Sequence, residues 1–242
     1  MVEVVGQATR VGVTRILAVG TDLQSSHECV QLASRFPEVF ASVGIHPHDC
    51  TEFGASALTE LRNLAARPKV VAIGEIGLDY ERANVPRAQQ LSAFTGQAAL
   101  AAELGLPIVV HNRGADGDIL AAISGVNREP SLFGRAGVLH CFTGSTDLAG
   151  AAHALGFFIS FAGNLTYRRS VSLCSIASDV PLSWLLTETD CPFLAPEPKR
   201  GTTNAPENVV LVAAKIAAVR GASIDEVARE TSANAATLFG WA

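Results

Sequence analysis

Residues 70–75 read Val-Val-Ala-Ile-Gly-Glu, an apolar run that ends on a carboxylate. Four other runs have the same form. Ile-Val-Val closes on His111, Gly-Val-Leu on His140, and Leu-Leu-Thr-Glu-Thr on Asp190, while Ser-Val-Gly-Ile leads into His46-Pro47-His48. Runs that are apolar throughout, rather than alternating, suit parallel strands covered on both faces. Their polar ends suit the C-terminal mouth of a (β/α) barrel, where the active sites of that fold are built.

Working outward, seven strands are expected, at 14–19, 39–44, 70–74, 108–110, 137–140, 157–161 and 184–187. Helical patterns lie between them. Ser25 and Glu28 form a capping box ahead of a helix over 26–36. Residues 87–104 place Leu91, Phe94, Ala98 and Ala101 on one face and stop before Gly105. Ser223 and Glu226 form a second box, with Val227, Thr231 and Leu238 on the stripe that follows. The strand–helix alternation predicts an α/β fold with right-handed crossovers. A TIM-type barrel closes with eight strands, and this chain opens instead on a helical segment, 2–10, ended by Gly12.

The 242 residues suit one domain, 1–242, and 48% hydrophobic content supports a sizeable core. A net charge of -5 argues against a broadly basic nucleic-acid wrapper, yet leaves room for a local phosphate site built on metal ions. The five Cys are irregularly spaced without C-x-x-C, which points to reduced thiols in a cytoplasmic protein rather than a disulfide framework. No signal peptide or membrane span is expected.

Carboxylates and imidazoles delivered to one rim by separate strands are the ligands of hydrolytic zinc, manganese or magnesium centres. A lone His after a strand is more often structural. Four to six such residues on successive strand ends are hard to explain that way, because unpaired buried polar groups cost free energy.

Seven segments carry a specific resemblance: Val-Gly-Thr-Asp at 19–22, Gly-Ile-His-Pro-His at 44–48, Gly-Glu-Ile-Gly-Leu-Asp-Tyr at 74–80, Pro-Ile-Val-Val-His-Asn-Arg at 107–113, Leu-His-Cys-Phe-Thr-Gly-Ser at 139–145, Glu-Thr-Asp-Cys-Pro at 188–192 and Asn-Ala-Ala-Thr-Leu-Phe-Gly at 234–240. In these the chain resembles the TatD family of metal-dependent deoxyribonucleases, which belongs to the amidohydrolase-like metallo-hydrolases. The resemblance implies one or two divalent ions (Mg2+, Mn2+ or Zn2+) held by Glu75, His111, His140 and Asp190. It implies catalytic roles for Glu75 and Asp190. It also implies that His46, His48, Arg113 and Arg200 face the substrate, which would be DNA or another phosphodiester. Amide or ester cleavage, including deacylation of aminoacyl-tRNA, stays open, as does a form with weak or no activity.

The family opens with a strand carrying Asp-x-His-x-His, which nothing here matches. A gap in the barrel wall is therefore expected, or an edge filled by a helix or a second copy. A native polypeptide longer at its N-terminus and a weak second ion site are also expected.

Overall fold

The computed structural model describes residues 1–125 and 136–241. The chain runs α1 (Val2–Arg10), β1 (Ile16–Val19), α2 (Leu23–Arg35), β2 (Val39–Val43), α3 (Ala55–Ala65), β3 (Val70–Asp79), α4 (Arg87–Leu104), β4 (Ile108–Arg113), α5 (Asp116–Gly125), β5 (Gly137–Leu139), α6 (Thr146–Ala154), β6 (Phe157–Phe161), α7 (Val171–Asp179), β7 (Leu185–Thr187), α8 (Val209–Arg220) and α9 (Ile224–Phe239). Each strand pairs in parallel with the next, from β1 to β7. The sheet is the curled α/β wall of a TIM-type barrel. Among the described residues no helix is long and apolar enough to cross a membrane.

Successive strand residues face opposite sides of a sheet, and both faces are apolar here. Ile108, Val110, Leu139, Ile159 and Leu185 join the large core under the helices. Ala72, Val109, Val138, Phe158 and Leu186 form a second cluster, completed by Leu238 of α9. Two residues beyond four of these second-face residues the chain turns polar: His111 follows Val109, His140 follows Val138, Ser160 follows Phe158 and Glu188 follows Leu186. Strand periodicity thus stacks a polar layer on an apolar one, at the C-terminal end of the sheet.

β1 and β7 are the outer strands, and no ladder joins them. A cavity of about 1210 Å3 lies between them, lined by Ile16 and Ala18 of β1 and by Leu186 and Thr187 of β7, and it reaches Glu75, His140 and Asp190. Val4 and Val5 of α1 and Phe239 and Trp241 at the C-terminus also line it. The wall has the expected gap, bordered by helices, and among the described residues both strand edges are unpaired.

Several local expectations need correcting. β4, expected at 108–110, runs on to Arg113. Ser223 caps α9 by accepting from the Glu226 N–H, without a reciprocal box. Two further differences have a visible cause. α2 begins three residues earlier than expected, with Asp22 as its N-cap. Ser25 is the third helical residue, and its hydroxyl accepts from the Asp22 N–H while its own N–H donates to Asp22 Oδ1 (2.6 Å). Glu28 instead accepts from Gln24 Nε2 one turn earlier. β3 does not stop at Gly74 but runs on to Asp79, with a register irregularity between Ile73 and Ile76. Gly77 permits this: at φ 148° a Cβ there would collide with the His111 carbonyl. α4, by contrast, spans 87–104 as expected and ends on Gly105 in the left-handed conformation.

Candidate metal centre

Glu75 sits at the β3 irregularity, where its N–H donates to the Gly20 carbonyl (2.8 Å). Its side chain is buried. Three imidazoles converge on its Oε1. His111 Nδ1 lies 2.8 Å away, His140 Nε2 2.9 Å and His46 Nε2 3.5 Å. Ligand atoms of His46, Glu75 and His111 all lie within 4.8 Å of one another.

The hydrogen bonds decide which nitrogen each ring has to offer. Glu188 Oε1 accepts from the Cys141 N–H (2.7 Å) and lies 2.9 Å from His140 Nδ1. Its Oε2 accepts from the Ser160 hydroxyl (2.5 Å). An ionised carboxylate only accepts, so the His140 proton sits on Nδ1. Nε2, turned to Glu75, is then the ligating atom. His111 turns Nδ1 to Glu75 Oε1 and so presents that atom to the centre, while its buried Nε2 lies 3.4 Å from Asp79 Oδ2 without a hydrogen bond. His46 is the reverse case. Its Nδ1 accepts from the His48 N–H (3.2 Å), so the neutral ring carries its proton on Nε2 and points a donor at Glu75. Burial holds His46 neutral, pushing its pKa down to about 3.

Two ring nitrogens this close to one carboxylate oxygen need a proton or a metal ion between each of them and that oxygen. The electrostatics show the demand. Burial pushes the Glu75 carboxyl up, but the His140 and His111 imidazoles outweigh it and hold Glu75 well below the usual carboxylate range. Burial pushes His140 down, yet Glu75 and Glu188 hold it well above the ordinary imidazole value. One carboxylate with imidazoles, anchored from behind by a second carboxylate, fits a divalent first-row ion.

Asp79 makes a second node beside the first. It is fully buried, and its Oδ1 accepts from the N–H groups of Glu81 (3.0 Å) and Arg82 (2.8 Å). Its Oδ2 meets His48 Nε2 (3.0 Å) and accepts from Arg113 Nη1 (2.9 Å). His48 and Arg113 are thus held together at the rim. Asp190 lines the same cavity as Glu75 and His140, and burial, opposed by His140, raises its carboxyl to about 6. Arg200 lies over the Tyr167 ring at 4.5 Å and pairs with Glu197 at 3.9 Å. The sequence reading missed Glu188, Ser160 and Asp79 as parts of the site. Strand periodicity carried the signal for the first two, since they stand in the same inward register as His140.

Comparison with known proteins gives this geometry its family. The TatD related DNase family matches residues 2–240. This chain belongs to that family. It is 36% identical over 237 residues to the metal-dependent hydrolase YabD of Bacillus subtilis, covering 98% of this chain and 91% of that protein. It is also 36% identical to the 3'-5' ssDNA/RNA exonuclease TatD of Klebsiella pneumoniae, again over 98% of this chain and 91% of the relative. Among solved structures, the TatD homolog YJJV of Escherichia coli superposes with a TM-score of 0.91 at 28% identity, covering 99% of this chain and 92% of that one. The protein is therefore a TatD-type metal-dependent hydrolase on a TIM-like barrel.

Proposed function

We propose that residues 1–242 form one TatD-like barrel domain that hydrolyses phosphodiester bonds in single-stranded nucleic acid, DNA first among them. The observation that carries this is the convergence of His111 Nδ1 and His140 Nε2 on Glu75 Oε1 at 2.8 and 2.9 Å. Glu75, His111 and His140 would hold one divalent cation. A cation there supplies Lewis acidity, acidifying water and polarising the phosphoryl oxygen. A second ion would keep only Glu75 and Asp190, a thin ligand set.

The chain's own groups do the rest. Glu188 fixes the His140 ring. His46 offers its Nε2–H to a phosphoryl oxygen. Arg113, held by Asp79, and Arg200 bring positive charge to the substrate backbone. Asp190, raised towards neutral pH, takes the proton of the attacking water at its carboxylate. The Klebsiella relative's printed activity on ssDNA and RNA supports the substrate class. Five cysteines without a disulfide support a cytoplasmic setting.

The test uses the purified protein with Mg2+, Mn2+ or Zn2+, an end-labelled single-stranded oligonucleotide and, beside it, an aminoacyl-tRNA. Nucleotide release that disappears in Glu75→Ala is expected. Deacylation without nucleotide release would replace this reading with acyl hydrolysis. Equal rates for Glu75→Ala and the parent would remove the catalytic claim.

A further inference from the structure

Phe193 is the one aromatic residue among the large apolar side chains that stand exposed in the described residues, with 68% of its surface accessible. Burying such a ring would stabilise the fold by roughly 1.5–3 kcal/mol, yet the backbone holds it out. The Phe193 N–H donates to the Asp190 carbonyl (2.9 Å), and its carbonyl accepts from Asn204 Nδ2 (2.7 Å). Asn204 Nδ2 also donates to the Thr189 carbonyl (2.8 Å), and the Asn204 N–H donates to the Pro192 carbonyl (3.0 Å). Asn204 is itself buried and accepts at Oδ1 from Asn208 Nδ2 (2.8 Å).

On the far side the loop is pinned again. The Leu194 carbonyl presses on Gly163, where a side chain has no room. The Tyr167 hydroxyl donates to the Ala195 carbonyl (3.1 Å), and Arg200 stacks on the Tyr167 ring. A flat apolar face is thus fixed three residues from Asp190, on the cavity that also exposes Glu75 and His140.

We infer that Phe193 is a stacking platform for a nucleobase of the substrate strand, and so a specificity-determining residue that selects unpaired nucleic acid. This rests on the nucleic-acid reading above and sharpens it. Every base has a π face, so stacking on an aromatic side chain tolerates sequence. A base inside a duplex is already covered by its neighbours on both faces. A base in a single strand is free to accept the ring. Arg200 beside the loop supplies a cation for the backbone that follows.

The experiment measures binding and cleavage separately. Affinity is read by fluorescence anisotropy with Ca2+ in place of the activating cation. The ligands are a single-stranded oligonucleotide and the same strand with abasic tetrahydrofuran units at its 3' end. Phe193→Ala is expected to weaken binding of the base-bearing strand roughly 5- to 150-fold, to leave the abasic strand unchanged, and to keep the parent's thermal midpoint. Phe193→Trp is expected to restore the affinity. Unchanged affinity in Phe193→Ala, or equal weakening for both strands, would overturn the stacking role. Cleavage with Mn2+ separates the two readings. Cleavage with Phe193-independent binding sinks the platform alone, and Phe193-dependent binding without cleavage sinks the nuclease alone. No binding of either strand sinks both.

Discussion

Replacing Glu188 by Gln removes a charge while keeping the shape of the side chain. Glu188 Oε1 serves the Cys141 N–H and His140 Nδ1, and Oε2 serves the Ser160 hydroxyl. The glutamine oxygen can keep the first two contacts, and its NH2 can donate to Ser160, whose hydroxyl then accepts. The buried Ser160 O–H then loses its acceptor, so stability should fall by about 1–3 kcal/mol. What disappears is the negative charge behind His140, which makes the ring a better ligand. Loss of such an orienting partner lowers metal affinity about 10- to 100-fold, or about 1.4–2.8 kcal/mol. Calorimetric titration with Zn2+ or Mn2+ reads this directly. Activity in Glu188→Gln should recover in part at high cation concentration. Glu188→Ala should lower the melting temperature further, because it orphans the Cys141 N–H as well as the Ser160 hydroxyl, at about 1–3 kcal/mol each. Parental cation affinity in Glu188→Gln would refute the claim that His140 is a ligand oriented from behind.

Removal of His46 should leave cation affinity within a few-fold of the parent while lowering kcat/KM, whereas removal of His111 should abolish tight cation binding. Equal losses in the two titrations would contradict the tautomer argument. Cation binding should titrate near one ion per chain; two tight sites would contradict the thin second ligand set. Asp79 is expected to give pH-dependent stability. Burial raises its carboxyl, but the His48 contact and the Arg82 and Glu81 N–H groups prevail and hold its folded pKa well below the usual value. A depressed carboxylate stabilises the fold above its unfolded pKa of about 3.9, and that contribution fades as pH falls through the folded value. Asp79→Asn should therefore cost about 1.5–3 kcal/mol near neutral pH. In urea melts the gap to the parent should narrow below about pH 4; a constant gap would show that ionisation of Asp79 is not what stabilises.

Much of this was legible in the sequence because the physics is local. Strands buried on both faces leave unbroken apolar runs, so all seven were visible, and β6 appeared at its observed bounds. A helix with an apolar face and a terminal glycine gave α4 at 87–104. The failures came where two local signals overlapped or where tertiary contact overruled one. At α2, Asp22 and Ser25 compete for the cap, and spacing alone cannot rank them. At β3, Gly74 reads as a strand end, yet it and Gly77 serve a close approach between β3 and β4. Glu188 went unassigned because Asp190, two residues later, carried the stronger resemblance. Counting inward positions from Leu186 selects Glu188 without any resemblance. Proton placement on His46 was not legible at all, since it depends on a backbone N–H turned by the His-Pro-His segment.

The most direct measurement is a crystal soaked in Zn2+ and recorded at the zinc absorption edge. We expect an anomalous peak about 2.0–2.2 Å from His111 Nδ1, His140 Nε2 and a Glu75 carboxylate oxygen, with His46 Nε2 outside ligand distance. A peak ligated by His46 while His140 stays bound only to Glu188, or no peak between these side chains at saturating zinc, would contradict it.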